Sequence, residues 1–284
     1  MMPELAIVLG YRCNFKCSHC MVGGKKKSQL SQNEKKLIIY SVKKHKTKHV
    51  LFIGGEPTLY IREMNDIILR LSNMDIKFRM TTNGHFARSK SEALEVLSSI
   101  NRLSGVNLSY DRLHAKFLPE QNIKNLFAAC EELKINFSII MAMMSPMDLV
   151  LLKKLNKIGR FTIMPQKLLP IGSAKLNNIG YKYPSFDEGV LKKLCPNRRV
   201  IIYMCGQGFT SCCSSLALCA RPGRVIHHTV GHHLNSEFYK LISKYTFRKM
   251  MRELGVSGLK MLPEDSAPCV LCEHVFRARY GESL

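Results

Sequence analysis

Cys13, Cys17 and Cys20 lie in Tyr11-Arg-Cys-Asn-Phe-Lys-Cys-Ser-His-Cys20, a C-x3-C-x2-C spacing that follows directly on the apolar run Leu5-Ala-Ile-Val-Leu9. An apolar run of that length reads as a strand, so the three thiols share one tight loop at its C-terminal end. Three soft ligands suit an iron–sulfur cluster, and a cubane held by three cysteines leaves one iron open to bind and activate another molecule. Structural zinc prefers four closed ligands, often two C-x2-4-C pairs, and takes this triad only if His19 completes the set beside Cys20.

The elements that must position this loop repeat along the chain. His49-Val-Leu-Phe-Ile53 is a second apolar run, ending in Gly54-Gly55-Glu56-Pro57. The two glycines let the backbone come close to a ligand, and Glu56 offers an acceptor for an ammonium. Residues 77–84 read as a third strand closing on Thr82, Asn83 and Gly84. Residues 106–111 read as a fourth, with Ser109 and Asp111 on one face and His114 following. Residues 135–143 and 161–164 supply a fifth and a sixth. Helix-compatible stretches near 31–45, 60–72, 90–100, 119–133 and 147–157 separate them. Strands alternating with helices predict βα units around a parallel sheet, with functional residues at the C-terminal strand ends. Asn83, Ser109 and Asp111 are equally suited to capping and turn formation. Met141-Ala-Met-Met-Ser-Pro-Met147 reads as core packing and a helix start.

The cysteine triad together with Gly54-Gly55-Glu56-Pro57 resembles the radical S-adenosylmethionine (SAM) superfamily. That resemblance implies an α/β fold, a partial (β/α)6 TIM-like barrel over residues 1–183. It also implies a [4Fe–4S] cluster on Cys13, Cys17 and Cys20 that binds SAM through its open iron. Gly54, Gly55 and Glu56 would hold the methionine end, with Asn83, Ser109 and Asp111 as further SAM or substrate contacts. Pro170-Ile-Gly-Ser-Ala-Lys175 resembles a turn found beside SAM in such enzymes.

A composition shift at Tyr181-Lys-Tyr-Pro-Ser185 marks a linker, and residues 184–284 form a second expected unit. It contains Cys195, Cys205, Cys212, Cys213, Cys219, Cys269 and Cys272. A short helical stretch ends at Cys195-Pro196, and a hairpin follows over 199–213 around Gly206-Gln-Gly208. A helical stretch runs from about Ser236 to Leu254, and Cys269-x2-Cys272 falls in a terminal loop. One cysteine before a hairpin, one on its second strand and a distant C-x2-C pair resemble a twitch-type domain holding one auxiliary [4Fe–4S] cluster. The larger SPASM arrangement needs further cysteines after the pair, and only Glu273-His-Val-Phe follows. Side chains alternate along a strand, so Cys212 and Cys213 are expected on opposite sides with at most one facing the cluster. The other is either an inert buried thiol or a hydrogen-atom donor; Cys205 and Cys219 are weaker ligand candidates.

Ser109-Tyr-Asp-Arg-Leu-His-Ala115, the 169–175 stretch, the hairpin with its vicinal cysteines and the C-x2-C pair resemble the epipeptide-type radical SAM peptide epimerases. By that resemblance Cys195, Cys212, Cys269 and Cys272 ligate the auxiliary cluster and Cys213 is the catalytic hydrogen donor. The substrate is then a ribosomally made precursor peptide in which an L-residue becomes a D-residue, and flavodoxin or ferredoxin supplies electrons. Arg198-Arg199 and the Gly-Gln-Gly turn are not acidic, unlike many such enzymes. Another radical SAM peptide maturase, a small-alcohol dehydrogenase and an RNA-modifying iron–sulfur enzyme are the alternatives.

The 284 residues carry 43 Lys and Arg against 21 Asp and Glu, a net charge of +22 that favours anionic partners. No nucleic-acid motif accompanies that charge, and the paired histidines at 227–228 and 232–233 read as a solvated or RNA-like face. No apolar run reaches the roughly 18 residues of a membrane helix. Eleven cysteines with no secretory signal in residues 1–10 point to metal and redox chemistry in a reducing compartment, the cytoplasm.

Overall fold

Each apolar run identified above becomes a strand of one sheet. A computed structural model describes residues 4–23, 25, 28–219 and 223–281. Lys26 and Lys27 of the first lysine run lie outside the described residues, as does the side chain of Cys219. The strands are β1 (Glu4–Val8), β2 (His49–Ile53), β3 (Lys77–Thr82), β4 (Leu103–Ser109), β5 (Asn136–Met143), β6 (Thr162–Lys167), β7 (Val200–Met204) and β8 (Gly208–Thr210). Their order is β6-β5-β4-β3-β2-β1-β7-β8. From β1 to β6 every neighbouring pair is parallel. The crossovers are α1 (Gln32–His45), α2 (Ile61–Arg70), α3 (Lys90–Ser98), α4 (Glu120–Glu132) and α5 (Val150–Leu155), and α6 (Ser173–Leu176) follows β6. This is the expected α/β architecture of six parallel βα units, a partial TIM-like barrel whose sheet stays open between β6 and β8.

Two strands differ from the sequence reading in instructive ways. β4 starts at Leu103 and includes Gly105, where a Cβ would lie 2.8 Å from Arg79 Nε on the neighbouring strand. It stops at Ser109, which leaves Asp111 in the following turn. β6 continues through Pro165 to Lys167, which an edge strand tolerates because the missing N–H is not needed for pairing.

The C-terminal hairpin is built onto the same sheet. β7 pairs in parallel with β1, and β8 pairs antiparallel with β7. The sheet is therefore continuous across the linker expected near residue 183. After it come α7 (Ser215–Cys219), α8 (Val230–Asn235), α9 (Glu237–Lys244), α10 (Phe247–Glu253) and α11 (Pro268–Tyr280). The helix expected from 236 to 254 is two helices, because Thr246 caps a new one by accepting from Lys249 N–H. Cys269 and Cys272 are not in a loop: α11 begins at Pro268, whose fixed φ suits a first helical position. One hydrophobic core joins Ile7, Phe52 and Phe78 to Phe209, Leu241 and Val275.

Glu34 is the clearest latch between the two halves. At the third position of α1 it completes a capping box with Ser31. Its Oε1 also accepts from Tyr203 Oη at 3.0 Å and from Gly206 N–H at 2.7 Å, fixing the β7–β8 turn. Losing the cap costs about 1 kcal/mol and each hydrogen bond about 1 kcal/mol more. Glu34→Ala should therefore lower unfolding free energy by about 3 kcal/mol in urea titrations, with Glu34→Gln in between.

Candidate active site

The triad loop is gripped by backbone from other strand ends. Gly55 N–H donates to Gly10 C=O at 2.9 Å and Glu56 N–H to Arg12 C=O at 2.8 Å. A Cβ on Gly55 would lie 2.0 Å from Arg12 O, and one on Gly54 2.6 Å from Gly10 O. The glycines are needed by the cysteine loop itself, a requirement the sequence reading assigned only to a ligand. From β6's end, Ser173 N–H donates to Cys20 C=O at 2.9 Å and Asn177 Nδ2 to Ser18 C=O at 2.8 Å.

Glu56 also ties the strand ends together. Its carboxylate is 1% exposed. Oε1 accepts from Thr58 N–H, Thr58 Oγ1 and Thr82 Oγ1, while Oε2 accepts from Asn83 N–H at 2.8 Å. Burial pushes the carboxyl pKa up, and these donors, Thr82 first, pull against it. The carboxylate pins the ends of β2 and β3 together through Thr58, Thr82 and Asn83, with Oε2 accepting a single hydrogen bond among them. Asn83 passes the constraint onward: its Nδ2 donates to Asn14 Oδ1 at 2.7 Å and to Cys13 Sγ at 3.6 Å.

Past β4, Asp111 organises a cluster the sequence left in pieces. Its Oδ1 accepts from Leu113 and His114 N–H, and its Oδ2 pairs with His114 Nδ1 at 2.8 Å and His19 Nε2 at 3.6 Å. Burial raises the Asp111 pKa, but the hydrogen bond and charge of His114, then the charge of His19, outweigh it and hold the carboxyl below its usual range. Burial lowers the His19 pKa. Asp111 thus reaches the triad loop through His19, while Ser109 ends β4, half-buried, nearby in sequence.

The thiols themselves are under electrostatic pressure. Burial, then the Cys20 and Cys13 sulfurs, push Cys17 up to about 12. Burial also raises Cys13, although Phe15 N–H and Asn83 donate to its sulfur, and raises Cys20. Three crowded sulfurs that resist ionisation are relieved by a cationic thiophilic group, so the donor set fits an iron–sulfur cluster.

A second sulfur cluster lies in the C-terminal part. Cys195, Cys212, Cys213, Cys269 and Cys272 all line one small, mainly apolar cavity with Asn197, Ser211 and Ser214. Both vicinal cysteines face it, against the expectation of opposite sides. β8 ends at Thr210, so strand alternation no longer governs residues 212 and 213. Asn197 Nδ2 donates to Cys213 Sγ at 2.6 Å, and Cys212 Sγ lies 3.0 Å from Ser214 Oγ. A hydrogen bond from Cys269, against burial, lowers the Cys213 pKa; burial pushes Cys212 up to about 12. Cys205 sits elsewhere, 3.7 Å from Ser28 Oγ. The histidine pairs do not form one solvated face: His228 and His232 are exposed, but His227 is half-buried and His233 is buried.

An open parallel sheet whose strand ends converge on a loop of three thiols defines a cluster-binding enzyme class. Residues 7–157 match the family model "Radical SAM superfamily", and the chain belongs to that superfamily. Membership implies SAM bound at a [4Fe–4S] cluster. The chain is 24% identical over 268 residues to YydG of Bacillus subtilis, "Putative peptide biosynthesis protein", covering 90% of this chain and 81% of that protein. It is 30% identical over 160 residues to a "Probable GTP 3',8-cyclase" of Sulfurisphaera tokodaii, covering 51% and 50%. The solved structure of BtrN in complex with AdoMet and 2-DOIA shares the fold, with TM-score 0.56 at 10% identity over 89% of this chain and 90% of that one. Among the described residues no helix is long and apolar enough to cross a membrane.

Gly55→Ala drives a methyl group into Arg12 C=O and should displace the triad loop. After anaerobic reconstitution the variant is expected to lose about four irons per chain, the content of one [4Fe–4S] cluster, while its circular dichroism stays unchanged.

Proposed function

We propose that this radical SAM enzyme epimerises a ribosomally made peptide, converting an L-residue to its D-form. The observation that carries the reading is five cysteine sulfurs around one cavity, where a [4Fe–4S] cluster takes four. Cys195, Cys212, Cys269 and Cys272 hold an auxiliary cluster, and Cys213 is left over. The donor set fits: soft sulfurs in an apolar wall, two of them in the first turns of α11, where contact with Cys213 and then burial raise Cys269 and burial raises Cys272, a pressure that a cationic thiophilic group relieves. Cys212 is 8% exposed and buried against Ser214, as suits a ligand; Cys213 is the more exposed of the pair, as suits a donor that must meet substrate. The likeness to YydG, a protein named for peptide biosynthesis, supports a peptide substrate.

In this reading Cys13, Cys17 and Cys20 hold the SAM-binding cluster in the barrel of residues 1–183, and residues 184–284 form the auxiliary unit. When bound, cluster and SAM supply a 5′-deoxyadenosyl radical that takes hydrogen from a peptide α-carbon. Gly54 and Gly55 offer backbone to the methionine end, and Glu56 and Asn83 keep that backbone and Cys13 in register. Ser109 and Asp111 line the next strand end toward SAM or substrate. Asn197 holds the Cys213 sulfur, whose S–H bond returns hydrogen to the α-carbon from the opposite face. The +22 charge suits an acidic precursor peptide, and a ferredoxin- or flavodoxin-class protein supplies electrons.

Wild-type protein incubated anaerobically in heavy water with SAM, reductant and the peptide encoded beside its gene should place one deuterium on one α-carbon and yield a D-residue. Cys213→Ala should still form 5′-deoxyadenosine and retain its iron, yet yield no D-residue. Cys195→Ala should lose about four irons. A Cys213→Ala protein that epimerises normally, or one that loses those irons itself, would overturn the assignment.

A further inference from the structure

We infer that Arg79, on the inner face of the open sheet, is a subsite for a carboxylate side chain of the peptide, an assignment that rests on the reading of the substrate as a peptide. The two faces of the sheet differ in kind. Phe78, Met80, Val106, Leu108 and Ile139 are fully buried in the core, as the helix-covered outer face of a barrel requires. Side chains alternate along a strand, so their chain neighbours point the other way. There Thr81, Ser109 and Ile140 are half-buried and line the open interior of the partial barrel.

Arg79 belongs to this inner row and is half-buried with it. Its Nη2 donates to Asn107 Oδ1 at 2.7 Å. The same Oδ1 accepts from Ser138 Oγ at 2.7 Å, and Asn107 Nδ2 donates to Thr81 Oγ1 at 3.3 Å. Asn107 and Ser138 are buried, so the guanidinium rests on a fixed polar bed drawn from β3, β4 and β5. Gly105 clears its stem, since a Cβ there would also lie 3.1 Å from Arg79 Cγ. Arg79 is therefore positioned by the fold and not merely solvated.

What this cation lacks is an anion. Lys35 and Arg70 share Asp66, and Arg88 pairs with Glu92. Among the described residues no carboxylate pairs with Arg79, its Nη1 has no partner, and its Nε is buried without an acceptor. Asn107, Ser138 and Thr81 are neutral, so the bed orients the charge without cancelling it. A guanidinium held this way offers a rigid fork of N–H donors, and the group that matches such a fork is a carboxylate. Asn107 precedes Ser109 by two residues, so the fork lies about 7 Å below the strand end. The methionine end of SAM, held in the proposed reading by Gly54 and Gly55 at the rim, leaves this lower position to the substrate. An aspartate or glutamate of the peptide fits it, and a lysine or arginine there is repelled.

The test is a charge cycle on both partners. The probes are the fluorescently labelled peptide encoded beside the gene and copies in which each Asp and Glu is replaced in turn by Asn or Gln. With SAM present, Arg79→Gln should raise the Kd of the parent peptide about 10- to 100-fold, the range of a charge-assisted hydrogen bond. Its SAM affinity and iron content should match wild type. One peptide copy should show the same rise with wild-type protein and no further rise with Arg79→Gln. Gly105→Ala, which pushes the guanidinium off its bed without removing the charge, should weaken the parent peptide but not that copy. Arg79→Lys, which keeps the charge and loses the fork, should fall between. A purely structural role would weaken every copy alike. An unchanged Kd in Arg79→Gln, a loss common to all copies, or a fall in SAM affinity in place of peptide affinity would overturn the subsite while leaving epimerisation intact. If the coupling is measured but wild-type protein forms no D-residue, the subsite stands and epimerisation fails.

Discussion

The buried carboxylate of Glu56 is the constraint on which the first site depends. An isolated carboxylate at 1% exposure would be costly, and its four hydrogen bonds to Thr58, Thr82 and Asn83 are what make it tolerable. Those donors come from the ends of two neighbouring strands, so satisfying the carboxylate fixes β2 and β3 against each other. The same turn then presents Gly55 and Glu56 N–H groups to the cysteine loop, and Asn83 reaches Cys13. One buried polar group thereby sets the positions of loops that are distant in sequence.

The two sulfur clusters are parts of one framework. β7 lies in parallel register on β1, the strand that leads into Cys13. Glu273, next to Cys272, accepts from Ser215 Oγ, Arg277 Nε and, at 3.1 Å, from Lys175 Nζ. Lys175 belongs to the segment whose Ser173 contacts Cys20. Paired sheet, latch and ion pair hold the C-terminal cysteines in a defined place relative to the barrel mouth. For the proposed reaction, in which a radical generated at one place is quenched at another, that rigidity matters because positional error costs rate steeply.

Much of this was legible in order along the chain. The six parallel strands and five crossover helices follow from apolar runs and their spacing, and Ser31 and Ser89 mark helix starts by side-chain capping. Errors fell where tertiary contacts override local pattern. β4 runs back to Leu103 with Gly105 beside the Arg79 side chain, and β6 runs on through Pro165 because it is an edge strand. The Cys212–Cys213 pair was misjudged because β8 is three residues long, and the alternation rule ends with it. His19, Asp111 and His114 carried no joint signal, since a carboxylate shared between a loop and a turn leaves no periodicity to read.

By itself the sequence determined the inventory: three thiols at one strand end, a glycine pair at the next, and seven more cysteines gathered beyond residue 184. Ligand type and local spacing are chemical properties of neighbouring residues, and they survive without a fold. Only the tertiary structure decided how those groups are used. It buried Glu56 as a pin between the ends of β2 and β3 and put both vicinal thiols on one cavity. Each of those outcomes depends on which distant backbone and side-chain donors arrive at the same point, and that is settled by packing.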